Sequence, residues 1–282
     1  MNYFQNSISI VTGAASGIGQ QLAIQLSEKG SRVIATDINE KGLEETKALC
    51  KGKLETKYLD VSVAVQIMKF SDEIIGNLKG EKLFLFNNAG VALASGNFYE
   101  TPLIDFEWLL NINLWGVVRM TKAFLPQMVK QNSGHVINIS SVFGLAGIQQ
   151  QSAYCTAKFG VRGFSDSLRM ELHETEIGIT CVHPGGIKTN IARNSKVSGE
   201  RVTKEILDEG ILKFDELAKT SAQEAARQII KATERRKARL VIGSDGILME
   251  IITRLFPTSY TKMMKSVMDK KFGVKYKVEI GK

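Results

Sequence analysis

The sequence predicts an α/β fold: one doubly wound parallel sheet, with helices on both faces to make three layers. Three observations predict it. Short runs rich in β-branched and aromatic residues alternate with longer stretches of helical periodicity, the pattern of strand–helix units feeding a parallel sheet. The first short run ends in a glycine-rich turn opening onto a helical stretch. The 282 residues are 44% hydrophobic and 23% charged, enough for a sizeable core, and no Gly/Ser/Pro-rich linker divides them.

The predicted strands are 7–12, 32–37, 54–59, 83–87, 135–140, 178–183 and 239–242. Each is a short apolar run bounded by polar or turn-forming residues. Helical patterns lie near 17–29, 39–50, 62–79, 102–131, 152–176 and 221–235. Ser221-Ala-Gln-Glu224 is a capping-box start for the last of these. The segment 191–220 breaks the rhythm: it is polar and charge-mixed, and reads either as a lid over a substrate cleft or as a solvated connector. We divide the chain into a catalytic domain over 1–243 and a helical extension over 244–282. In the extension Ile247, Leu248, Ile251, Ile252, Leu255 and Phe256 recur at helical spacing. Met263, Met264, Val267 and Met268 continue an apolar face flanked by Lys262, Lys265, Lys270 and Lys271. Such a face packs within the protein or its oligomer, caps the cleft, or lies on an anionic membrane.

Composition narrows the function classes. The net charge is +8, but Lys and Arg are spread along the chain without a nucleic-acid-binding pattern. Cys50, Cys155 and Cys181 are isolated, with no CxxC, so neither a disulfide framework nor a zinc site is expected. His135, His173 and His183 are scattered and read as structural, and no metal site is expected. Residues 7–11 already read as the first strand, which argues against a cleaved leader. No apolar run reaches 18 residues, so a cytoplasmic enzyme is expected, with peripheral membrane contact through 244–282 left open.

After the first strand comes Thr12-Gly13-Ala14-Ala15-Ser16-Gly17-Ile18-Gly19. Glycines at this spacing make a tight turn, and they let a diphosphate approach backbone amides at a helix N-terminus. On its own this is also an ordinary glycine turn. Asp37, at the end of the second strand, strengthens the nucleotide reading, because an acidic residue roughly 20 positions past such a turn accepts the adenosine ribose hydroxyls. Its charge would repel a 2′-phosphate, which favours NAD over NADP. Asp60 and Val61 follow the third strand and border the adenine. Asn87, Asn88, Ala89 and Gly90 follow the fourth, where small residues let a nucleotide pass close to the backbone.

Tyr154 and Lys158 are an i, i+4 pair opening a predicted helix, so they share one face. A free tyrosine has a pKa of about 10, and a nearby ammonium, with the positive nicotinamide of an oxidised cofactor, would favour the phenolate and lower that pKa. Ser141, at the end of the fifth strand, is placed to donate to a substrate oxygen beside Tyr154. Asn113 lies within a helical run that disfavours asparagine, and is placed to anchor a water chain to Lys158.

With these residues in view, the sequence resembles the short-chain dehydrogenase/reductase family, whose fold is Rossmann-like. The resemblance is carried by Thr12 through Gly19, Asp60, 87–90, Asn113, Ser141, Tyr154-x-x-x-Lys158, and Pro184-Gly185 with Thr189, in the family's order over 7–190. It implies an Asn113–Ser141–Tyr154–Lys158 tetrad. Tyr154 would be the acid/base and Ser141 would polarise the substrate. Lys158 would bind the nicotinamide ribose, and Asn113 would hold a relay water. The resemblance implies cofactor contacts from Gly13, Ser16, Gly17, Ile18, Gly19, Asp60, Val61, Asn87, Ala89 and Gly90. Tyr154 and Lys158 would also touch the cofactor, and Pro184, Gly185, Ile187 and Thr189 would contact the nicotinamide amide. NADP-preferring members often carry a basic residue where this chain has Ser16 or Ile38. The resemblance also implies a homodimer or homotetramer.

The expected reaction is hydride transfer between NAD(H) and an alcohol or ketone (EC 1.1.1.-). Phe143, Leu145, Ile148 and Ile191 make the region around the site mostly apolar, with Gln149, Gln150 and Gln151 as polar handles, so a hydrophobic secondary alcohol or ketone is expected. The alternative is a catalytically silent NAD(H)-binding sensor or scaffold. Such proteins commonly break the tetrad, and here all four positions are intact.

Overall fold

In the computed structural model, described over residues 3–199 and 202–265, the chain begins as repeated strand–helix units. These are β1 (Ser7–Thr12), α1 (Gly17–Glu28), β2 (Arg32–Asp37), α2 (Glu40–Leu49), β3 (Leu54–Tyr58), α3 (Ala64–Gly76) and β4 (Lys82–Asn87). The middle of the chain supplies β5 (Leu93–Ser95), α4 (Leu103–Leu110), α5 (Gly116–Gln131), β6 (Gly134–Ile139), α6 (Ser152–Glu171) and β7 (Ile177–Pro184). Then follow β8 (Ile187–Lys188), β9 (Lys196–Ser198), α7 (Lys204–Leu217), β10 (Thr220–Ser221), α8 (Ala222–Glu234), β11 (Arg239–Ile242) and α9 (Ser244–Leu255).

Seven strands pair in parallel in the order β11-β7-β6-β4-β1-β2-β3. The two-residue strand period separates the core into two layers. Ile8 and Ile10 of β1 join Leu83 and Leu85 of β4 on one face, where Ile67 and Phe70 of α3 and Met120 and Phe124 of α5 cover them. Val11, Phe84 and Phe86 turn to the other face, against Leu22 and Leu26 of α1 and Ile229 of α8. The doubly wound sheet expected from the sequence is therefore observed.

Three differences bear on the site. The helix expected over 102–131 is two helices, joined by a π-helical turn at Asn111–Trp115. Such turns widen the backbone hydrogen-bond ladder locally and are frequent at functional sites. Segment 191–220 is not structureless. It contributes β9, which pairs with β5, and α7, which starts at the side-chain cap of Thr203 and buries no residue fully. A helix without a buried stripe leaves little periodicity to read. In the extension, α9 exposes Ile247, Leu248, Ile251 and Leu255, while Gly246 is buried. Val267, Met268, Lys270 and Lys271 lie outside the described residues.

Candidate active site

β1 lies between β2 and β4, so the connections leave in opposite directions there, and this opens a crevice at the strand carboxyl ends. Two side chains join its walls. The Thr12 hydroxyl accepts from the backbone N–H groups of Asn88 and Ala89, each at 3.0 Å. The Asn88 amide donates to the carbonyls of Thr12 at 2.9 Å and Gly13 at 3.1 Å. The turn so pinned tolerates no side chain. Gly13 has φ +68°, and a Cβ there would sit 2.8 Å from Ala89 Cα; one on Gly19 would collide with the Gly13 carbonyl. Ser16 caps α1 without a side-chain bond to its first turn. The N-terminal amides and helix dipole are thus left for an anion. Ile18 packs on the core, and Gly17 lies against Thr189, since a Cβ at Gly17 would be 3.1 Å from Thr189 Cγ2. The glycine cradle and the 184–189 segment therefore meet, and the residues present fit a dinucleotide diphosphate.

Asp37 ends β2 with its carboxylate directed back at the cradle. It accepts from Ala15 N–H and Asn39 N–H, each at 3.0 Å, which leaves acceptor capacity for ribose hydroxyls. Beside it, Ile38 is exposed and carries no charge for a 2′-phosphate. Asp60 turns its carboxylate onto Ser62 N–H at 2.8 Å. Val61 is buried, and a Cβ on Gly116 would approach its Cγ2 at 2.9 Å, so Val61 faces the core more than a ligand. The Asn87 side chain also points inward, donating to Thr121 Oγ1 at 3.0 Å and Asn138 Oδ1 at 2.8 Å. Gly90 is the exposed residue of that segment, while Ala89 is partly buried against the core.

The other four residues converge at the C-terminal ends of β4 and β6. The turn after β6 places Ser141, whose Oγ accepts from Phe143 N–H at 3.1 Å and stands near enough to the Tyr154 hydroxyl to lower its pKa. His183 on β7 holds the same turn, its Nδ1–H donating to the Ser141 carbonyl at 3.0 Å. From the first turns of α6, Tyr154 packs edge-on against Phe143, and Lys158 brings its ammonium 5.5 Å from the Tyr154 ring. Lys158 is buried and donates to the Ile139 carbonyl at 3.0 Å. Asn113 enters from the π-helical turn, fully buried. A Cβ on Gly90 would lie 3.3 Å from Asn113 Oδ1 and 3.6 Å from Lys158 Nζ, so Gly90, Asn113 and Lys158 are mutual neighbours.

Burial dominates the electrostatics of the protein alone. It pushes the Tyr154 hydroxyl up to about 12, only partly offset by Ser141 beside it, and pulls Lys158 down to about 8. In the protein alone, desolvation outweighs the attraction of a nearby ammonium, because both groups sit where charge is poorly solvated. The lowering expected for Tyr154 counted on an oxidised nicotinamide beside the ammonium, and the protein alone holds only the ammonium.

Beyond the pinned turn, Ile187 is buried and β8 pairs with β10. The start of the 191–220 segment is fastened to α4: Asp105 accepts from Ser198 Oγ at 2.6 Å and pairs with Lys196 Nζ at 2.5 Å. Both partners hold the Asp105 carboxyl below its usual range. Asn88, Val91, Asp105, Asp245 and Tyr260 were not singled out by sequence reasoning, and His183 was read only as structural; the partners that give them their roles are distant in sequence, and only Asn88 sat inside a motif that had been read. The described residues hold no group of three His, Cys, Asp or Glu placed for a metal ion, and no helix long and apolar enough to cross a membrane. All three cysteines are free.

Comparison with known proteins agrees with this geometry. The short chain dehydrogenase family profile matches residues 7–198. A Mycobacterium tuberculosis protein named "Putative oxidoreductase SadH" is 35% identical over 280 residues, which is 96% of this chain and 99% of that one. A short-chain dehydrogenase/reductase from Burkholderia phymatum, solved with NAD, superposes with a TM-score of 0.78 at 23% identity over 100% of both chains. Serine dehydrogenase with NADP+ superposes with a TM-score of 0.73 at 27% identity, over 83% of this chain and 94% of that one.

Proposed function

The chain belongs to the short-chain dehydrogenase/reductase family of NAD(P)-dependent oxidoreductases, and from that membership we propose that it transfers a hydride between NAD(H) and a hydrophobic secondary alcohol or ketone. The observation that carries this reading is the convergence of Tyr154, Lys158 and Asn113: the Lys158 ammonium lies 5.5 Å from the Tyr154 ring one helical turn along α6, and a Cβ on Gly90 would lie 3.6 Å from that ammonium and 3.3 Å from Asn113 Oδ1.

In this reading Gly13, Ser16, Gly17, Ile18 and Gly19 receive the diphosphate at the start of α1. Asp37 accepts the adenosine ribose hydroxyls and disfavours a 2′-phosphate, which supports NAD. Asp60, Val61, Asn87, Ala89 and Gly90 line the adenine side and the floor, Val61 and Asn87 through their backbone. Pro184, Gly185, Ile187 and Thr189 read the nicotinamide amide. When bound, the nicotinamide supplies the hydride acceptor or donor, and in its oxidised form a positive charge.

The chain's own residues then move the proton. Ser141 Oγ donates to the substrate oxygen and holds it beside Tyr154. For oxidation, Tyr154 as phenolate takes the hydroxyl proton; for reduction, its hydroxyl returns the proton to the carbonyl oxygen. Lys158 holds the ribose and favours the phenolate. The Asn113 side chain is engaged by Val91, so a relay water toward Lys158 is held by its main chain. The apolar surroundings of Tyr154, including Phe143, Leu145 and Ile148, support a hydrophobic substrate. A dimer or tetramer goes with the family membership.

The test is an NAD+ reduction screen across secondary alcohols, sterols and 3-hydroxyacyl compounds, run on wild type and Tyr154→Phe. We expect turnover that Tyr154→Phe lowers by about 10²–10⁴-fold while NADH binding is kept. Retained turnover removes Tyr154 from its role. NADH binding without turnover on any substrate favours the silent sensor. Peripheral contact of 244–282 with a membrane is tested by sedimentation with anionic liposomes. Pelleting of the intact protein, and not of a chain ending at residue 245, supports it; no pelleting ends it.

A further inference from the structure

Residues that follow β11 reach three points around Ser141. The first is the 184–189 segment. Asp245, in the first turn of α9, accepts from Gly186 N–H at 3.0 Å. Its carboxylate occupies a socket that two glycines leave open: a Cβ on either Gly185 or Gly243 would overlap it, and Gly243 has φ +93°. The second is the catalytic turn itself. Gly246 is buried, and a Cβ there would press on Val142 Cγ1 and Val241 Cγ1, each at 2.9 Å, so α9 begins directly against the residue after Ser141. The third is the loop between Ser141 and Tyr154, where Gly147 N–H donates to Tyr260 Oη at 3.0 Å. The span between these fastenings is itself tied down, because Glu250 pairs with Arg239 of β11 at 3.1 Å.

The first and third fastenings grip backbone in segments where the proposed reaction needs a fixed geometry. The 184–189 segment contacts the nicotinamide through main-chain groups, and Gly185 and Gly186 have no side chains of their own to hold it in place. The 145–151 loop runs directly into the helix that carries Tyr154, Ile148 N–H donates to Cys155 Sγ at 3.4 Å, and Gln150 is held at φ +63°, a conformation a non-glycine residue keeps only under constraint. An external hydrogen bond to each segment restricts exactly the freedom that would blur the reacting geometry, where small displacements cost large factors in rate.

We propose that the start of the C-terminal extension is a brace across the cofactor–substrate junction, with Asp245 and Tyr260 as positioning residues. Asp245 fixes the segment that reads the nicotinamide, and Tyr260 fixes the loop against which the substrate lies. This rests on the proposed oxidoreductase reading, and it makes the two residues separable. Asp245 acts on cofactor affinity, and Tyr260 acts on substrate use at unchanged cofactor affinity.

The test uses the full-length protein with Asp245→Ala, Asp245→Asn and Tyr260→Phe. NADH affinity is measured by fluorescence titration, melting temperature by thermal scan, and KM and kcat with the best alcohol from the screen. Asp245→Ala should weaken NADH binding by about fivefold or more, the size of one lost hydrogen bond. Asp245→Asn keeps an oxygen for Gly186 N–H and should restore most of that loss. Tyr260→Phe removes one exposed hydroxyl and should fold normally. It should leave NADH affinity within about twofold and raise KM by about threefold or more, with kcat less affected. The brace is overturned if Asp245→Ala binds NADH as wild type does, if Asp245→Asn is as impaired as Asp245→Ala, or if Tyr260→Phe leaves KM unchanged. Failure of wild type itself to bind NADH overturns the underlying reading, and the brace with it.

Discussion

Asn113 closes both ends of its side-chain amide on a single residue: Oδ1 accepts from Val91 N–H and Nδ2 donates to the Val91 carbonyl, each at 2.8 Å. The pair stitches the π-helical turn at Asn111–Trp115 to the strand end that carries Gly90. Only a group that both donates and accepts can serve a peptide unit this way. Asn113→Asp presents a buried carboxylate to the Val91 carbonyl and should cost about 2–3 kcal/mol or more. A thermal scan with urea titration measures the loss, and turnover should fall with it because Lys158 adjoins the same site. A loss below about 0.5 kcal/mol would show that the stitch carries no weight.

Asp37 has two tasks, and they can be separated. Its carboxylate holds Ala15 N–H and Asn39 N–H, and in the proposed reading its charge disfavours a 2′-phosphate. Asp37→Asn keeps an oxygen acceptor and removes the charge. The ratio of NADPH to NADH affinity should then rise by about tenfold, with a small fall in melting temperature because one of the two backbone N–H groups loses its acceptor. Paired fluorescence titrations with the two nucleotides give the ratio. A preference for NADPH in the wild type would reverse the assignment.

Tyr154 is held up at about 12 and Lys158 down at about 8 in the protein alone, each by burial. An oxidised nicotinamide beside them adds positive charge, which favours the phenolate and so moves the Tyr154 titration downward. With NAD+ saturating, kcat for alcohol oxidation should therefore rise with pH through a pKa below 10. Lys158→Met removes the second positive charge and should shift that pKa upward by about one unit or more. An unshifted pH profile would show that Lys158 does not act on Tyr154 electrostatically.

How much of this was legible in sequence depends on whether a residue's partners lie nearby in the chain. The strands announced themselves because Ile8, Ile10, Leu83 and Leu85 alternate with residues of the opposite layer. The Tyr154–Lys158 pair was legible because a spacing of four puts both on one face of α6, whereas the full tetrad with Asn113 and Ser141 came from the family resemblance. The direction of the Tyr154 shift was not, because burial is a property of the whole fold. The π-helical turn at Asn111–Trp115 left no break in apolar periodicity, so one long helix was expected where two exist. α7 stayed hidden within 191–220 because it buries no residue fully. The fastenings of Asp245 to Gly186 and Tyr260 to Gly147 join segments that only the closed sheet brings together.

His135 should make the fold acid-sensitive. Its Nε2 lies 2.8 Å from Thr180 Oγ1, and that hydroxyl donates to the Lys237 carbonyl at 2.6 Å, so Nε2 carries the ring's hydrogen. Nδ1 is buried without a partner. Burial first, then the charges of Arg236 and Lys82, pull its pKa from 6.5 to about 3. The folded state therefore resists the proton that the unfolded chain accepts. The stability this represents is fully present above pH 6.5 and drains away as pH falls toward 3, at up to about 1.4 kcal/mol per unit from this residue. His183, pulled down to about 4 by burial, adds a loss of the same sign. His135→Gln keeps an amide donor for Thr180 and removes the titration. It should be less stable than wild type at pH 7, and the gap should narrow steadily in urea unfolding at pH 6, 5 and 4. Parallel stability curves for the two proteins would exclude His135 as a source of acid sensitivity.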